Sequence, residues 1–415
     1  MSAVNAKDSA TPFRATGLFA RLVERCLPDI DAGRLTVTLP DGEAVVRTGA
    51  ASGPEARIDV HERRAFRRIL LDGEVGFTDG YLDGDWSTPD LATLLSLLLA
   101  NEAALRPRKQ ASPLTALRHR MLHAFRANTR RGSRRNIAAH YDLGNGFYER
   151  WLDRGMNYSA ALYRGGESLE EAQAAKNDRI AEMLELHPGD RVLEIGCGWG
   201  ALAERLAPHA AYTGITLSRE QRDYALRRLA AAGVTEPDIR LQDYRDVPGS
   251  YERIVSIEMF EAVGERYWPV YFERLRGALA AGGVAVLQVI TIAADRFPAY
   301  RSRPDFIQRH IFPGGMLPTL GHLEGLADRS GLAIGALQSF GGGYAETLRE
   351  WRRRFNLSWS EIAPLGFDER FRRMWDYYLA YCETGFRHGT IDVSLIQLRG
   401  QAVRDFAAPH QCKRP

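Results

Sequence analysis

A short apolar run at 191–195 (RVLEI) passes without a break into Gly196-Cys197-Gly198-Trp199-Gly200, and the helix-forming stretch 201–206 follows directly. No other feature constrains the chain as much. Glycine at alternate positions lets the backbone turn tightly and come close to a ligand. The helix start behind it offers unpaired N–H groups and a positive dipole. The spacing lacks the G-x-G-x-x-G of dinucleotide sites, and no Gly-Lys-Ser/Thr follows to cradle a nucleotide phosphate. Further apolar runs at 211–217, 253–257 and 284–290, with a shorter one at 239–241, alternate with helical stretches such as 169–186. That alternation predicts an α/β fold built on a doubly wound, mostly parallel sheet.

At 415 residues the chain has room for two or three domains of roughly 100–200 residues each. Three segments are expected. Residues 1–105 read as a smaller N-terminal α+β module. Within it 34–38 and 43–47 form a hairpin around Pro40-Asp41-Gly42, 62–71 has helical spacing, 79–86 is rich in Gly and Asp, and Thr88-Pro89 opens a leucine-rich helix. Residues 106–135 form a basic linker or amphipathic helix: from Arg106 to His140 there is no Asp or Glu, while ten basic side chains run from Arg106 to Arg135. Leu114, Leu117, Met121, Leu122 and Phe125 recur among them at near-helical spacing, which suits an anionic lipid surface as well as a solvated linker. No base-reading motif accompanies them, so nucleic acid is not the expected partner. Residues 136–405 form the larger α/β domain that carries the glycine loop, with further helical stretches. The four cysteines lie far apart, which excludes a disulfide scaffold and a thiolate zinc site and fits a reducing compartment. The N-terminus holds no apolar run long enough for a secretory signal, and the most apolar run, 91–100, is half of what a bilayer span needs. A cytoplasmic protein is the expectation.

With Glu194 ending the strand, E-x-G-x-G-x-G is similar to the S-adenosylmethionine loop of class I methyltransferases, which implies that cofactor and assigns Glu194, Gly196, Gly198 and Gly200 to it. The second strand ends in Gly214-Ile215-Thr216-Leu217-Ser218, with Glu220-Gln221 next, so Thr216 and Gln221 are the candidates for the ribose contact. Asp243, followed by Tyr244, sits after the third strand-like stretch, where an acid accepts from an adenine amine; the alternative is a helix cap.

The remaining motifs decide the acceptor. They are His140-Tyr141-Asp142-Leu143-Gly144-Asn145, Met156-Asn157-Tyr158-Ser159, Glu258-Met259-Phe260-Glu261-Ala262-Val263-Gly264, Ile311 through Pro318, Tyr344 with Glu346-Thr347-Leu348, and Tyr377 through Cys382. In this order and spacing they closely resemble the cyclopropane-fatty-acyl-phospholipid synthase family and its fatty-acid methyltransferase relatives. The resemblance is dense from about 136 to 400 and looser over Gly80 to Gly84. It implies methyl transfer to a cis double bond of a phospholipid acyl chain, with Tyr158 and Ser159 among the cofactor contacts. An alkene is a poor nucleophile and attack leaves a carbocation, so the site must be dry, stabilise positive charge and remove one proton. Tyr158, Phe260, Trp268 and Tyr344 are the candidate cation–π partners, against plain core packing.

The family is thought to use a bound bicarbonate as base, held by a backbone group and by Cys, Glu, His and Tyr side chains. By position the resemblance puts Glu261 and Tyr344 in that set, with the backbone near Ile290. Two members are changed: Ala160 stands for the cysteine and Gln288 for the histidine. A weaker hold on the ion, or proton loss from a neighbouring carbon to give a methyl-branched chain, are the two consequences weighed. Cys382 matches a cysteine proposed as active in the family, although the chemistry needs no thiolate and a structural role serves as well. The resemblance thus implies a peripheral protein at the inner face of the membrane, meeting anionic phospholipid, and leaves a homodimer open. A methyltransferase on a soluble small molecule and a catalytically decayed lipid-binding protein are the alternatives.

Overall fold

The computed structural model describes residues 17–105 and 143–400. The basic segment 106–135, the triplet His140-Tyr141-Asp142 and Cys412 lie outside the described residues. Within the described chain there are two compact units, one of residues 17–105 with Phe367–Thr384, the other of residues 143–366 with 385–400.

The first unit is built on a four-stranded sheet in the order β2-β1-β3-β4. Strands β1 (Ala32–Thr38) and β2 (Ala44–Thr48) pair antiparallel up to Thr38 and Ala44, and Gly42 turns the chain at a φ of +86°. Strand β3 (Ala51–Val60) lies parallel to β1, and the two-residue β4 (Trp86–Ser87) closes the edge. The leucine-rich helix Leu91–Ala100 packs on β1 and β3. Its cap is Asp90, which accepts from Thr93 N at 3.2 Å, so the helix opens two residues beyond Thr88. The Gly- and Asp-rich stretch is helical too, over Glu74–Leu82. Close packing explains its glycines: a Cβ on Gly76 would lie 2.0 Å from Arg68 O, and one on Gly80 would lie 3.1 Å from the Trp86 ring. The buried Asn101 clips this unit together, its amide bonding Asp31 N, Ala32 N, Ala32 O and Leu97 O at 2.7–2.9 Å.

The second unit carries a seven-stranded sheet in the order β10-β11-β9-β8-β5-β6-β7. Strands β5 (Arg191–Ile195), β6 (Ala211–Thr216), β7 (Asp238–Leu241), β8 (Tyr251–Ile257) and β9 (Leu279–Ile292) run parallel, as the alternation of strands and helices requires. Strand β11 (Ile391–Gly400) joins β9 antiparallel, and β10 (Leu332–Ser339) joins β11 antiparallel. One apolar core centres on Phe260, Trp268, Tyr271 and Phe272, and another on Ile180, Val192, Leu202 and Leu229. The strand order reverses at β5, which has β6 on one side and β8 on the other. In such sheets the crevice that binds ligands opens at the carboxyl ends of those strands. The glycine loop leaves the end of β5, and Glu258 to Glu261 leave the end of β8.

Candidate active site

The loop after β5 takes left-handed backbone at Gly196 (φ +87°), Gly198 (+51°) and Gly200 (+85°). The three glycines differ in what surrounds them. A Cβ on Gly196 would lie 3.1 Å from Met259 Cγ, and one on Gly200 would lie 3.1 Å from Ala225 Cβ, whereas one on Gly198 would enter open space. Gly198 is therefore where a ligand can approach bare backbone. Trp199 is anchored by Asn145, which accepts from its indole N–H at 2.7 Å. Glu194 is buried and accepts from Tyr212 Oη on the neighbouring strand; burial pushes its carboxyl up to about 7.

At the end of β6, Thr216 Oγ1 donates to Gln221 Oε1 at 2.8 Å, so the two ribose candidates are brought together. Ser218 caps the helix Arg219–Ala231 that carries Gln221. Asp243 is buried, caps the short turn Tyr244–Asp246 through Arg245 N, and pairs with the Arg245 guanidinium at 2.7–2.8 Å. The cap weighed against an adenine contact is thus one thing its carboxylate does. Tyr244 packs edge-on against Tyr271. With a bare glycine facing open space and a paired threonine and glutamine at the next strand end, the residues present fit a nucleoside-bearing cofactor of the S-adenosylmethionine kind.

Two carboxyl side chains close the end of β8. Glu258 takes a φ of +49°, a region that non-glycine residues rarely adopt. Its carboxylate receives three donors: Ala160 N at 2.7 Å, Gln288 Nε2 at 2.6 Å and Tyr344 Oη at 2.6 Å. Glu261 accepts from Ile290 N at 2.5 Å, and its Oε2 is buried without a hydrogen-bond partner. Glu261 is partly exposed as a residue, but its carboxyl end is not. Burial first, then the charge of Glu258, pushes that carboxyl up to about 8. Burial also raises Glu258, against the pull of its three donors. Of the two, Glu258 is the one with donors to stabilise a negative charge. Met259, between them, packs on Gly196, so carboxyl pair and glycine loop are adjacent.

The loop before the helix Leu169–Leu184 presents Ala160 to this pair. Asp153 holds it by accepting from Gly155 N, Asn157 N and Asn157 Nδ2 at 2.7–2.9 Å. Ser159 Oγ accepts from the fully buried Lys176 at 3.0 Å, and burial lowers that ammonium to about 8 despite the carboxylates of Glu258, Asp153 and Glu194. Tyr158 stands among Tyr148, Trp151 and Trp351, and Trp351 in turn meets Tyr344. Phe260 and Trp268 belong to the apolar core instead. Cys382 belongs to the first unit, on the helix Glu369–Arg387, while the carboxyl pair belongs to the second. Glu258 and Lys176 were not singled out from the sequence. The signal for Glu258 was an acid directly after an apolar strand, two residues before Phe260-Glu261.

Comparison with known proteins gives the family. The family described as mycolic acid cyclopropane synthetase matches over residues 128–396. Tuberculostearic acid methyltransferase UfaA1 of Mycobacterium tuberculosis is 40% identical over 373 residues, 86% of each chain. Cyclopropane-fatty-acyl-phospholipid synthase of Escherichia coli is 34% identical over 362 residues, 85% of this chain and 92% of that one. A crystal structure of mycolic acid cyclopropane synthase CmaA1 complexed with SAH and CTAB superposes with a TM-score of 0.59 at 31% identity, covering 64% of this chain and 97% of that chain. Coclaurine N-methyltransferase, at 17% identity and a TM-score of 0.62, shares the fold alone. With the class I sheet, the glycine loop and these relatives together, the chain belongs to the mycolic acid cyclopropane synthetase family and is an S-adenosylmethionine-dependent methyltransferase.

Proposed function

We propose that this enzyme methylates the cis double bond of unsaturated acyl chains in membrane phospholipids, and that its product is a methyl-branched, unsaturated chain rather than a three-membered ring. The carboxyl pair beside the glycine loop carries the reading. Bound S-adenosylmethionine supplies a methyl group made electrophilic by its sulfonium. Attack by an alkene leaves positive charge on the acyl chain, and a carboxylate at Glu258, held by three donors, would be a strong partner for it because little water screens the two. The faces of Tyr344 and Tyr158 add cation–π attraction. Thr216, Gln221, Asp243 and Tyr244 are assigned to the nucleoside, and Gly196, Gly198 and Gly200 to the methionine end of the donor.

The branched outcome is supported by the residues that differ from the resemblance. Ala160 has no thiol, and Gln288 can donate but cannot hold a charge. The 40% identical relative is named a methyltransferase, and the 34% identical one a cyclopropane synthase.

Lipid reaches such a site only if the protein meets a membrane. Among the described residues no helix is long and apolar enough to cross one. The first unit offers a peripheral contact instead: the helices Leu18–Cys26 and Arg64–Asp72, joined by Phe19 on Phe66, expose Leu18, Leu22, Leu70 and Leu71 beside Arg21, Arg25, Arg63 and Arg67. Leucines among arginines suit an anionic lipid surface. The expected site of action is the inner face of the cytoplasmic membrane.

The test is expression in cells rich in monounsaturated lipid, fed methyl-labelled methionine, with mass spectrometry of fatty-acid methyl esters. One added, labelled carbon is expected, and after hydrogenation fragmentation locates a branch. An intact ring would overturn the branched product. Acyl chains without label, in cells holding the folded protein, would overturn the acceptor.

A further inference from the structure

We infer that Glu258 is a base built into the protein: its carboxylate fills the place where the resemblance puts a bicarbonate ion, and the enzyme uses none. The inference rests on the proposed methyl transfer to an alkene, and it is carried by geometry.

Five positions were assigned to the ion by resemblance: 160, 261, 288, 344 and the backbone near Ile290. Three of them bond Glu258 directly, through Ala160 N, Gln288 Nε2 and Tyr344 Oη, at 2.6–2.7 Å. The other two bond each other, Ile290 N to Glu261 at 2.5 Å. The donors that would hold a free anion are therefore already taken by a tethered one, and a second anion placed among them would meet the charge of Glu258 in a poorly screened site. Ala160 and Gln288 then make sense as a pair. A thiol at 160 and a second ionisable ring at 288 have no ion to hold, and a glutamine donates to a carboxylate without competing for its proton. The backbone at Glu258 points the same way. A left-handed conformation in a non-glycine residue costs on the order of 1 kcal/mol, and such strain persists where a side chain has to be aimed.

The step balances as follows. The π pair of the alkene forms the new C–C bond to the methyl carbon, and the C–S pair stays on sulfur as a neutral thioether. A C–H bond next to the cationic carbon then breaks, its pair becomes the new double bond, and the proton goes to a Glu258 oxygen. One positive and one negative charge are consumed together. The proton leaves Glu258 for solvent when the products depart.

The full chain should be assayed for transfer of labelled methyl from S-adenosylmethionine to dioleoylphosphatidylglycerol vesicles, in buffer purged of carbon dioxide. The wild type should turn over at the same rate, within twofold, with and without added bicarbonate. Glu258→Gln should lose at least about 100-fold in turnover, the scale of a missing general base, with cofactor affinity unchanged. Glu258→Gly suits the backbone, keeps the fold, and should regain activity when bicarbonate is added. Bicarbonate dependence of the wild type, or near-normal turnover by Glu258→Gln, would overturn the inference. A second measurement needs no acceptor: calorimetric titration with bicarbonate should give no binding to the wild type and measurable binding to Glu258→Gly. Binding to the wild type would overturn the inference even if lipid proved to be the wrong acceptor, and wild-type protein that transfers no methyl to lipid would count against the acceptor alone.

Discussion

Glu261 keeps its proton where an ordinary glutamate has lost it. Its carboxyl titrates at about 8 in the fold, against 4.5 as the ordinary value. Between those two pH values the folded state binds a proton that the unfolded chain has released, so this group's contribution to stability is complete below about 4.5 and is lost as pH rises towards 8. Lys176 acts in the opposite sense and in another window. Folded, it releases its proton at about 8, and unfolded at 10.5, so its contribution grows with pH only above 8. Comparing the wild type with Glu261→Gln isolates the first effect, because Gln keeps an oxygen for Ile290 N–H and has no proton to lose. The wild type should be the more stable at pH 5 relative to the variant, and its relative stability should fall steadily to pH 8, read by thermal unfolding. A difference that stays flat across that range would mean that Glu261 is ionised throughout. Glu261→Ala, by contrast, strands a buried N–H and should cost about 1–3 kcal/mol at every pH.

At the scale of elements, the three loop glycines make separable predictions. Gly198→Ala costs about 1–2 kcal/mol for a left-handed alanine, and its Cβ enters the space assigned to the donor. Gly200→Ala pays a similar backbone cost and also presses on Ala225, 3.1 Å away. S-adenosylmethionine affinity measured by calorimetry should fall at least tenfold in Gly198→Ala with a modest loss of thermal stability, and Gly200→Ala should show the larger stability loss. Equal affinities in Gly198→Ala and the wild type would move the donor away from this loop. The loop, the helix 201–206 that follows it and the parallel strands were legible because each is announced locally, by glycine spacing and by uninterrupted apolar runs. Strands β10 and β11 were not. They join one side of the sheet antiparallel, their partners are far away in sequence, and although helix Gly341–Leu357 follows β10, no parallel strand comes after it among the described residues to complete a βαβ unit. Helix Glu74–Leu82 was obscured for the reverse reason: Gly76 and Gly80 look like breakers, but close contacts with Arg68 and Trp86 require them. At the site, Glu261 and Tyr344 could be placed by motif. Glu258 could not, because its meaning lies in who bonds it, and Ala160, Gln288 and Tyr344 are spread over 184 positions of the chain.

For the whole molecule, the proposed contact with lipid depends on charge distribution. The net charge is only +3, and the ten basic side chains between Arg106 and Arg135 more than account for it. The rest of the chain is net negative, so attraction to an anionic surface must be local to that segment and to the arginines of the helices Leu18–Cys26 and Arg64–Asp72. Each basic residue near such a surface contributes about 1 kcal/mol, and the attraction fades beyond a Debye length of about 10 Å at 0.1 M salt. Leu70 and Leu71, 73% and 74% exposed, add an apolar part that salt does not screen. In vesicle sedimentation, binding should therefore require anionic lipid and weaken steeply as salt rises. Replacing Arg118, Arg120, Arg126, Arg130 and Arg131 by Gln should lower the affinity by at least about 100-fold at low salt and flatten the salt dependence. Replacing Leu70 and Leu71 by Gln should lower it at every salt concentration alike. Both sets of variants should bind S-adenosylmethionine as the wild type does, since none of the replaced residues is among those assigned to the donor. Salt-insensitive binding to neutral vesicles would overturn the electrostatic part, and an unchanged affinity in the leucine variant would take those two helices out of the contact.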